Sequence, residues 1–412
     1  MHHNALDGPR DDSGPGSWDM SVTDAPDGAC DDACDDVRDD PHDDALAVRE
    51  ALGAARVGLV DREVIAEVVA LCAVAGEHLL VIGAPGTAKS EAVRRIAAQL
   101  GGRYFEYLVG RFTEPNEIFG PVDLRRLREG VVEVETAGML PEADIAFLDE
   151  VFLGSTAILN TLLGLLNERT FRRGRTAVAA PLRVCVGAAN QLPDDPSLAA
   201  FADRFLARVF VEPVTDARLE ELLEEGARTA SRPAADSRTL AAVDRLAAAA
   251  SACDLAPVRP VLATALRRMR AAGVPVSDRR AVRSQRLVAA AAVLDGRARA
   301  DVPDLWTLPL IAPTSDAQAA ARDVLTDLIG EAGSTSLFHA AEEFSRGARA
   351  RAQRLTASAR ALIEEFGERP EDRDARLRFE AVLREIDAGF AEADLEDGLV
   401  EMRRRLVAAV RS

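Results

Sequence analysis

The stretch that most constrains this chain is residues 78–90, HLLVIGAPGTAKS. An apolar run from His78 to Ile82 leads into Gly83, Ala84, Pro85, Gly86, Thr87, Ala88, Lys89 and Ser90, and a helical pattern follows from Glu91. Strand, glycine-rich turn and helix in that order are the setting of a phosphate-binding loop. In such a turn successive backbone N–H groups face one concavity, and the helix N-terminus adds partial positive charge. Lys89 is then placed for the β- and γ-phosphates, and the Ser90 hydroxyl for Mg²⁺. Ala88 stands where a glycine usually precedes the lysine; alanine permits a helical start, so the loop is expected to keep its mechanism. Lys89 is also the only lysine in the chain, the other 49 basic residues being arginine. A composition that has moved so far towards arginine keeps lysine where a compact ammonium is wanted. These residues predict nucleotide binding.

The chain's 412 residues predict two or three domains. Apolar residues make up 48% and aromatics only 4%, so the core must be built mostly from Ala, Leu and Val. A net charge of −18 argues against a nucleic-acid partner held through phosphate contacts. No run of 18 apolar residues predicts a membrane span, and the N-terminus lacks a charged-then-apolar leader pattern, which predicts a cytoplasmic protein. Five scattered cysteines form no disulfide framework and fit a reducing compartment. Residues 1–45 contain fourteen aspartates between Asp7 and Asp44 and few large apolar side chains, which predicts a disordered acidic tail. Within it Cys30 and Cys34, with His2, His3 and His42, match no established metal-ligand spacing, and a solvated tail is the better reading.

From residue 45 a helical pattern runs to 56, and Asp61 is expected to cap an apolar-faced helix over 62–75. Strand patterns lie at 103–108, 145–148, 182–189 and 207–211. Between them come loop and short helix (111–120), a small hairpin (124–137), an amphipathic helix (155–168), loop or hairpin (170–181) and a helix (198–205). Apolar strands alternating with helices predict an α/β fold with a mostly parallel sheet covered on both faces. Beyond Thr215 the strands stop. Helices are expected at 218–229, 239–253, 261–272 and 279–294, then a proline-containing segment (301–313) and an all-helical remainder. The expected division is a tail (1–45), a nucleotide-binding core (46–214), a helical block (215–313) and a C-terminal helical region (314–412).

Four further elements suit one site. Asp149 and Glu150 end an apolar strand about 60 residues after the loop; the Asp would support Mg²⁺ and the Glu would polarise the attacking water. Asn190 follows the strand at 182–189 and would orient that water if its strand neighbours the loop strand. Arg204 could offer its guanidinium to the γ-phosphate of a neighbouring subunit, with Arg208 as the competing candidate. Arg279 or Arg280, opening a helix in the later block, could reach back to the nucleotide.

Read in order, GAPGTAKS, IAFLDE, NQLP, DRF and VSDRR resemble the MoxR branch of the AAA+ ATPases. Within it EYLVGRFTEPNEIFGP, LPEADIAFLDE and AILNTLLGLLNERTFRRG are most similar to the RavA-type regulatory ATPases. The resemblance covers roughly residues 46–300. It implies an αβα core with a helical lid over 215–313 and a homo-hexameric ring binding ATP and Mg²⁺ between subunits. It further implies Asn190 as sensor 1, Arg204 as arginine finger and Arg279 as sensor 2. The 124–137 hairpin would be the insert in helix 2 that marks this branch. Family members act as chaperone-like remodellers, often with a partner carrying a von Willebrand factor A domain; the client is not named by the sequence. A nucleotide-gated scaffold with slow hydrolysis is the alternative, and a DNA-translocating ring is disfavoured by the acidic balance.

Overall fold

Uninterrupted apolar runs such as LLVIG and VCVGAA are patterns for strands buried on both faces, and they form the centre of the sheet. The computed structural model describes residues 41–214, 218–227, 237–367, 373–389 and 397–411. Most of the expected acidic tail, with Cys30, Cys34, His2 and His3, lies outside them.

The strands are β1 (Leu79–Gly83), β2 (Tyr104–Leu108), β3 (Ile145–Asp149), β4 (Thr170–Arg173), β5 (Thr176–Ala179), β6 (Val184–Ala189) and β7 (Ala207–Val211). Five of them form one parallel sheet in the order β2-β3-β6-β1-β7. Alternate side chains supply two cores. Leu79, Val81, Val184 and Val186 face the helices Glu63–Ala75 and Lys89–Leu100, while Leu80, Ile82 and Cys185 face the helix Thr156–Glu168. His78 sits wholly buried just before β1. Its Nδ1 accepts from the Cys185 N–H (3.1 Å) and its Nε2 donates to the Leu166 carbonyl (3.0 Å). Burial pushes its pKa well down, so the ring is neutral.

Several local expectations are corrected. The N-terminal helix spans Pro41–Arg56, so the folded part begins before residue 45; Asp44 is buried and accepts from Arg245 Nη2 (2.5 Å) and Nε (2.9 Å). Asp61 does not cap the next helix. It adopts φ 55° and pairs with Arg218, and the N-cap position is Arg62, without a side-chain cap bond. Residues 124–137 are not a hairpin. Asp123 accepts from the Arg125 and Arg126 N–H groups and starts a short helix, Leu124–Arg128, because LRRLR has no β-branched residue to favour a strand. The insert is closed instead by an antiparallel bridge between Val122 and Val134, and it leans on the β4–β5 hairpin through Val134 N–H to Thr176 Oγ1 (2.8 Å). The helix expected at 198–205 is Pro196–Ala202, started by the Asp195 side chain.

The lid helix Asp278–Leu294 starts at Ser277, whose hydroxyl accepts from the Arg280 N–H. It lies under the N-terminal ends of the strands. Arg283 and Arg286 meet the fully buried Glu77, just before β1, at 2.8 and 3.1 Å. The helices Ser315–Ile329 and Phe338–Arg346 continue the same core through Leu325, Ile329 and Phe344. A separate core around Phe379, Ile386 and Leu406 gathers the last three helices, Ala348–Phe366, Arg373–Gly389 and Asp397–Arg411. Among the described residues no helix is long and apolar enough to cross a membrane.

One contact between these layers predicts a pH dependence. Glu67, fully buried in the helix Glu63–Ala75, accepts from Arg56 Nη1 (2.7 Å), His339 Nδ1 (2.8 Å) and the Ala340 N–H (2.7 Å). The bond from His339 raises that residue's pKa, with further help from the charges of Glu67 and Glu63 and opposition from burial and Arg56. A raised histidine pKa contributes stability that is complete below the unfolded value of about 6.5 and is lost as pH rises through the higher folded value. His339→Gln should therefore lower the urea midpoint at about pH 5.5 and lose that effect by about pH 8.5. An equal deficit at both pH values would contradict the assignment.

Candidate nucleotide site

Three neighbouring strands end together at one edge of the sheet, and each delivers a polar residue there. β1 ends in the loop, β3 in Asp149 and Glu150, and β6 in Asn190; Ile82 is in register with Ala189, so Asn190 emerges beside Gly83. The adjacency on which a role for Asn190 depends is thus present.

Gly83 has no room for a side chain, since a Cβ would sit 2.4 Å from the Val211 carbonyl. Ala84, Pro85 and Gly86 are exposed, with Gly86 at φ 78°. Thr87 turns inward and donates Oγ1 to the Ala84 carbonyl at 2.8 Å. Lys89 is buried, and its ammonium donates to the carbonyls of Gly83 (2.7 Å) and Ala84 (3.1 Å). Burial lowers its pKa, opposed by the nearby charges of Asp149 and Glu150. The helix Lys89–Leu100 begins without any side-chain cap, which leaves its first N–H groups for an outside acceptor. An uncapped helix start beside a buried lysine and two carboxylates fits a nucleoside triphosphate with Mg²⁺. Ser90 and Asp149 are the residues that would hold the metal.

Ala88 does not begin the helix in helical conformation. It is left-handed, φ 56° and ψ 26°, where glycine would rest without strain. The turn needs that conformation, and the sequence alone concealed it.

Glu150 is held in a second strained conformation, φ 51°. Its N–H donates to Asp149 Oδ1 (3.0 Å), and its Oε1 accepts from Asn190 Nδ2 (2.5 Å). An open cavity of about 490 Å³ lies beside it, lined also by Leu108, Arg111, Phe112, Glu117 and Leu153.

The arginines read from the sequence sit elsewhere. Arg204 and Arg280 lie around the start of β7, whose first N–H, that of Ala207, donates to the His78 carbonyl. That end is about 16 Å of strand from the phosphate loop. Arg280 is nearly fully buried; it donates to the carbonyls of Ile311 (2.7 Å), Phe205 (3.2 Å) and Leu206 (2.5 Å) and pairs with Asp203 (3.1 Å). It is a clamp between core and lid. Arg279 donates to Asn167 Oδ1 (2.5 Å), at the end of the helix that leads into β4, on the same side as Arg280. In this structure neither arginine contacts the loop of its own chain, where one was expected to reach back; both are engaged at the other end of the strands. Arg208 is buried on β7, with Nη1 on the Pro313 carbonyl (2.5 Å) and a pKa lowered by burial to about 10. It is not available to a neighbour. Arg204 is half-buried, and its Nε has no hydrogen-bond partner among the described residues.

Arg62 is a residue of this site that the sequence did not mark. Its buried guanidinium donates to the Thr87 carbonyl of the loop. Sequence offered only one signal, a basic residue at a helix start, where an acidic one is usual.

Comparison with known proteins agrees with this geometry. Residues 46–249 match a family model described as the MoxR domain in the MoxR-vWA-beta-propeller ternary systems, and residues 259–320 match an AAA lid domain. Two uncharacterized Methanocaldococcus jannaschii proteins, MJ0812 and MJ0079, are 36% and 35% identical over 56% and 57% of this chain. The chain covers 62% and 61% of their lengths, about three fifths of each. Structural protein ORF618 of Acidianus two-tailed virus is 32% identical over 33% of this chain and 23% of its own length. In fold, the chain is similar to the crystal structure of an ATPase candidate from Cytophaga hutchinsonii, with TM-score 0.57 and 15% identity over 69% of this chain and 96% of that one. The MoxR-domain and AAA-lid matches, on a parallel sheet with the phosphate loop at the C-terminal end of its strands, place this chain in the MoxR branch of the AAA+ ATPases.

Proposed function

We propose that the chain hydrolyses ATP with Mg²⁺ at a site shared between copies in a ring, most simply a homo-hexamer, and uses the cycle to remodel client proteins. The observation that carries this reading is the separation of parts. Lys89, Asp149, Glu150 and Asn190 meet at one end of the sheet, while Arg204 and Arg279 lie at the other. A head-to-tail contact between copies would bring the two ends together, and head-to-tail contacts that close form rings.

Bound ATP would supply a phosphoryl group ready for transfer to water, with Mg²⁺ balancing its charge. The protein's share is positioning and electrostatics. Lys89 would leave the Gly83 and Ala84 carbonyls to bind phosphate, and Ser90 and Asp149 would hold the metal. Glu150 would take the proton of the attacking water, with Asn190 fixing the direction of its carboxylate. Arg204 of a neighbour would stabilise the charge that develops, and Arg279 of a neighbour would sense the nucleotide. The similarity to RavA-type ATPases supports a chaperone-like role, and the name of the matching family supports a partner with a von Willebrand factor A domain.

The loop is tested by Lys89→Met. Loss of a buried charge-assisted contact should weaken Mg²⁺–ATP binding about 100-fold in calorimetric titration, with circular dichroism unchanged. Undiminished affinity would contradict the site.

A further inference from the structure

The left-handed Ala88, φ 56° and ψ 26°, brings its Cβ against the following carbonyl, so the loop's last turn is not a conformation alanine would choose. Something must hold it. Thr87 contributes one tie inside the loop, Oγ1 to the Ala84 carbonyl. The other tie comes from outside. Arg62, 4% exposed at the start of the helix Glu63–Ala75, donates Nε to the Thr87 carbonyl at 2.6 Å. Its Nη2 donates to the Glu212 carbonyl (2.7 Å), just past β7, and its Nη1 to the Asp61 carbonyl (2.5 Å).

The Thr87 carbonyl belongs to the peptide unit that joins Thr87 to Ala88. Fixing that peptide plane fixes one side of the rotation that defines the Ala88 φ angle. The three acceptors come from three separate backbone segments, the loop, the exit of β7 and the turn at Asp61. A planar guanidinium with donors on several edges can meet all three; an ammonium on a flexible stem can present its donors at only one point.

We propose that Arg62 is a positioning residue for nucleotide binding: it holds the 87–88 peptide so that Ala88 stays left-handed and the N–H groups of Lys89 and Ser90 stay at the phosphate cavity. Arg62 supplies from outside the conformational hold that a glycine at position 88 would make unnecessary. The inference rests on the reading that this loop binds phosphates.

The test is a double-mutant cycle of Arg62→Gln and Ala88→Gly, read by Mg²⁺–ATP affinity and by the thermal unfolding midpoint. Arg62→Gln should weaken ATP binding about tenfold in the wild-type background and only about twofold in the Ala88→Gly background. In steady state it should raise KM by that same tenfold and leave kcat within about twofold, the pattern of lost binding rather than lost chemistry. The drop in unfolding midpoint caused by Arg62→Gln should likewise be smaller when Ala88→Gly is already present. Equal losses in both backgrounds, or an affinity unmoved by Arg62→Gln, would overturn the proposal. Should the wild-type chain bind no nucleotide, the reading of the site falls, and the unfolding cycle alone still decides whether Arg62 and Ala88 are coupled. Should Arg62→Gln fail to fold, Arg62→Lys takes its place in the same cycle with the same expectation.

Discussion

Glu150→Gln should slow ATP hydrolysis about 10³-fold while the nucleotide remains bound. The glutamate accepts from Asn190 and lies beside the open end of β3, in a backbone conformation that costs energy to maintain. An amide of the same shape keeps those contacts but cannot accept a proton from water. Binding depends on Lys89 and the loop, which the substitution leaves in place. Phosphate release measured in single turnover, beside ATP affinity measured directly, separates the two effects. Hydrolysis within about tenfold of wild type would show that Glu150 is not the base.

Arg204→Ala should reduce hydrolysis by a comparable factor, about 10³-fold, for a different reason. The residue lies about 16 Å of strand away from the loop of its own chain, so its effect can reach the chemistry only through a neighbour. ATP affinity should change less than about threefold, because the loop of the same chain is untouched. A large fall in affinity, or a loss of folded protein on thermal scans, would make Arg204 a structural residue like its neighbour Arg280.

Much of this could be read from residues in a row. The loop, the strand ending in Asp149 and Glu150, and the strand ending at Asn190 are local patterns, and their adjacency follows from the parallel order of β3, β6 and β1. What remained hidden depends on tertiary context. Arg208 and Arg280 look like exposed arginines in a chain rich in them, yet both are buried under carbonyl groups. Arg279 points at the nucleotide only if the lid is imagined over the loop, whereas Glu77 draws the lid helix to the opposite edge of the sheet through Arg283 and Arg286. The hairpin reading of 124–137 followed the alternating Val132 and Val134, and the Asp123 cap made the preceding residues helical instead. Ala88 and Arg62 are the subtlest case: a missing glycine and a basic helix start are their only marks in the sequence, and the strain at one and its tether at the other exist only in three dimensions.

The most direct test of a shared site is to mix the two inactive variants. Neither Glu150→Gln nor Arg204→Ala alone should hydrolyse ATP appreciably. In an equimolar mixture allowed to exchange subunits, about a quarter of the interfaces pair an intact Glu150 with a neighbour's intact Arg204, and hydrolysis should recover in that proportion. A mixture that stays as inactive as its components, with exchange verified, would contradict the account.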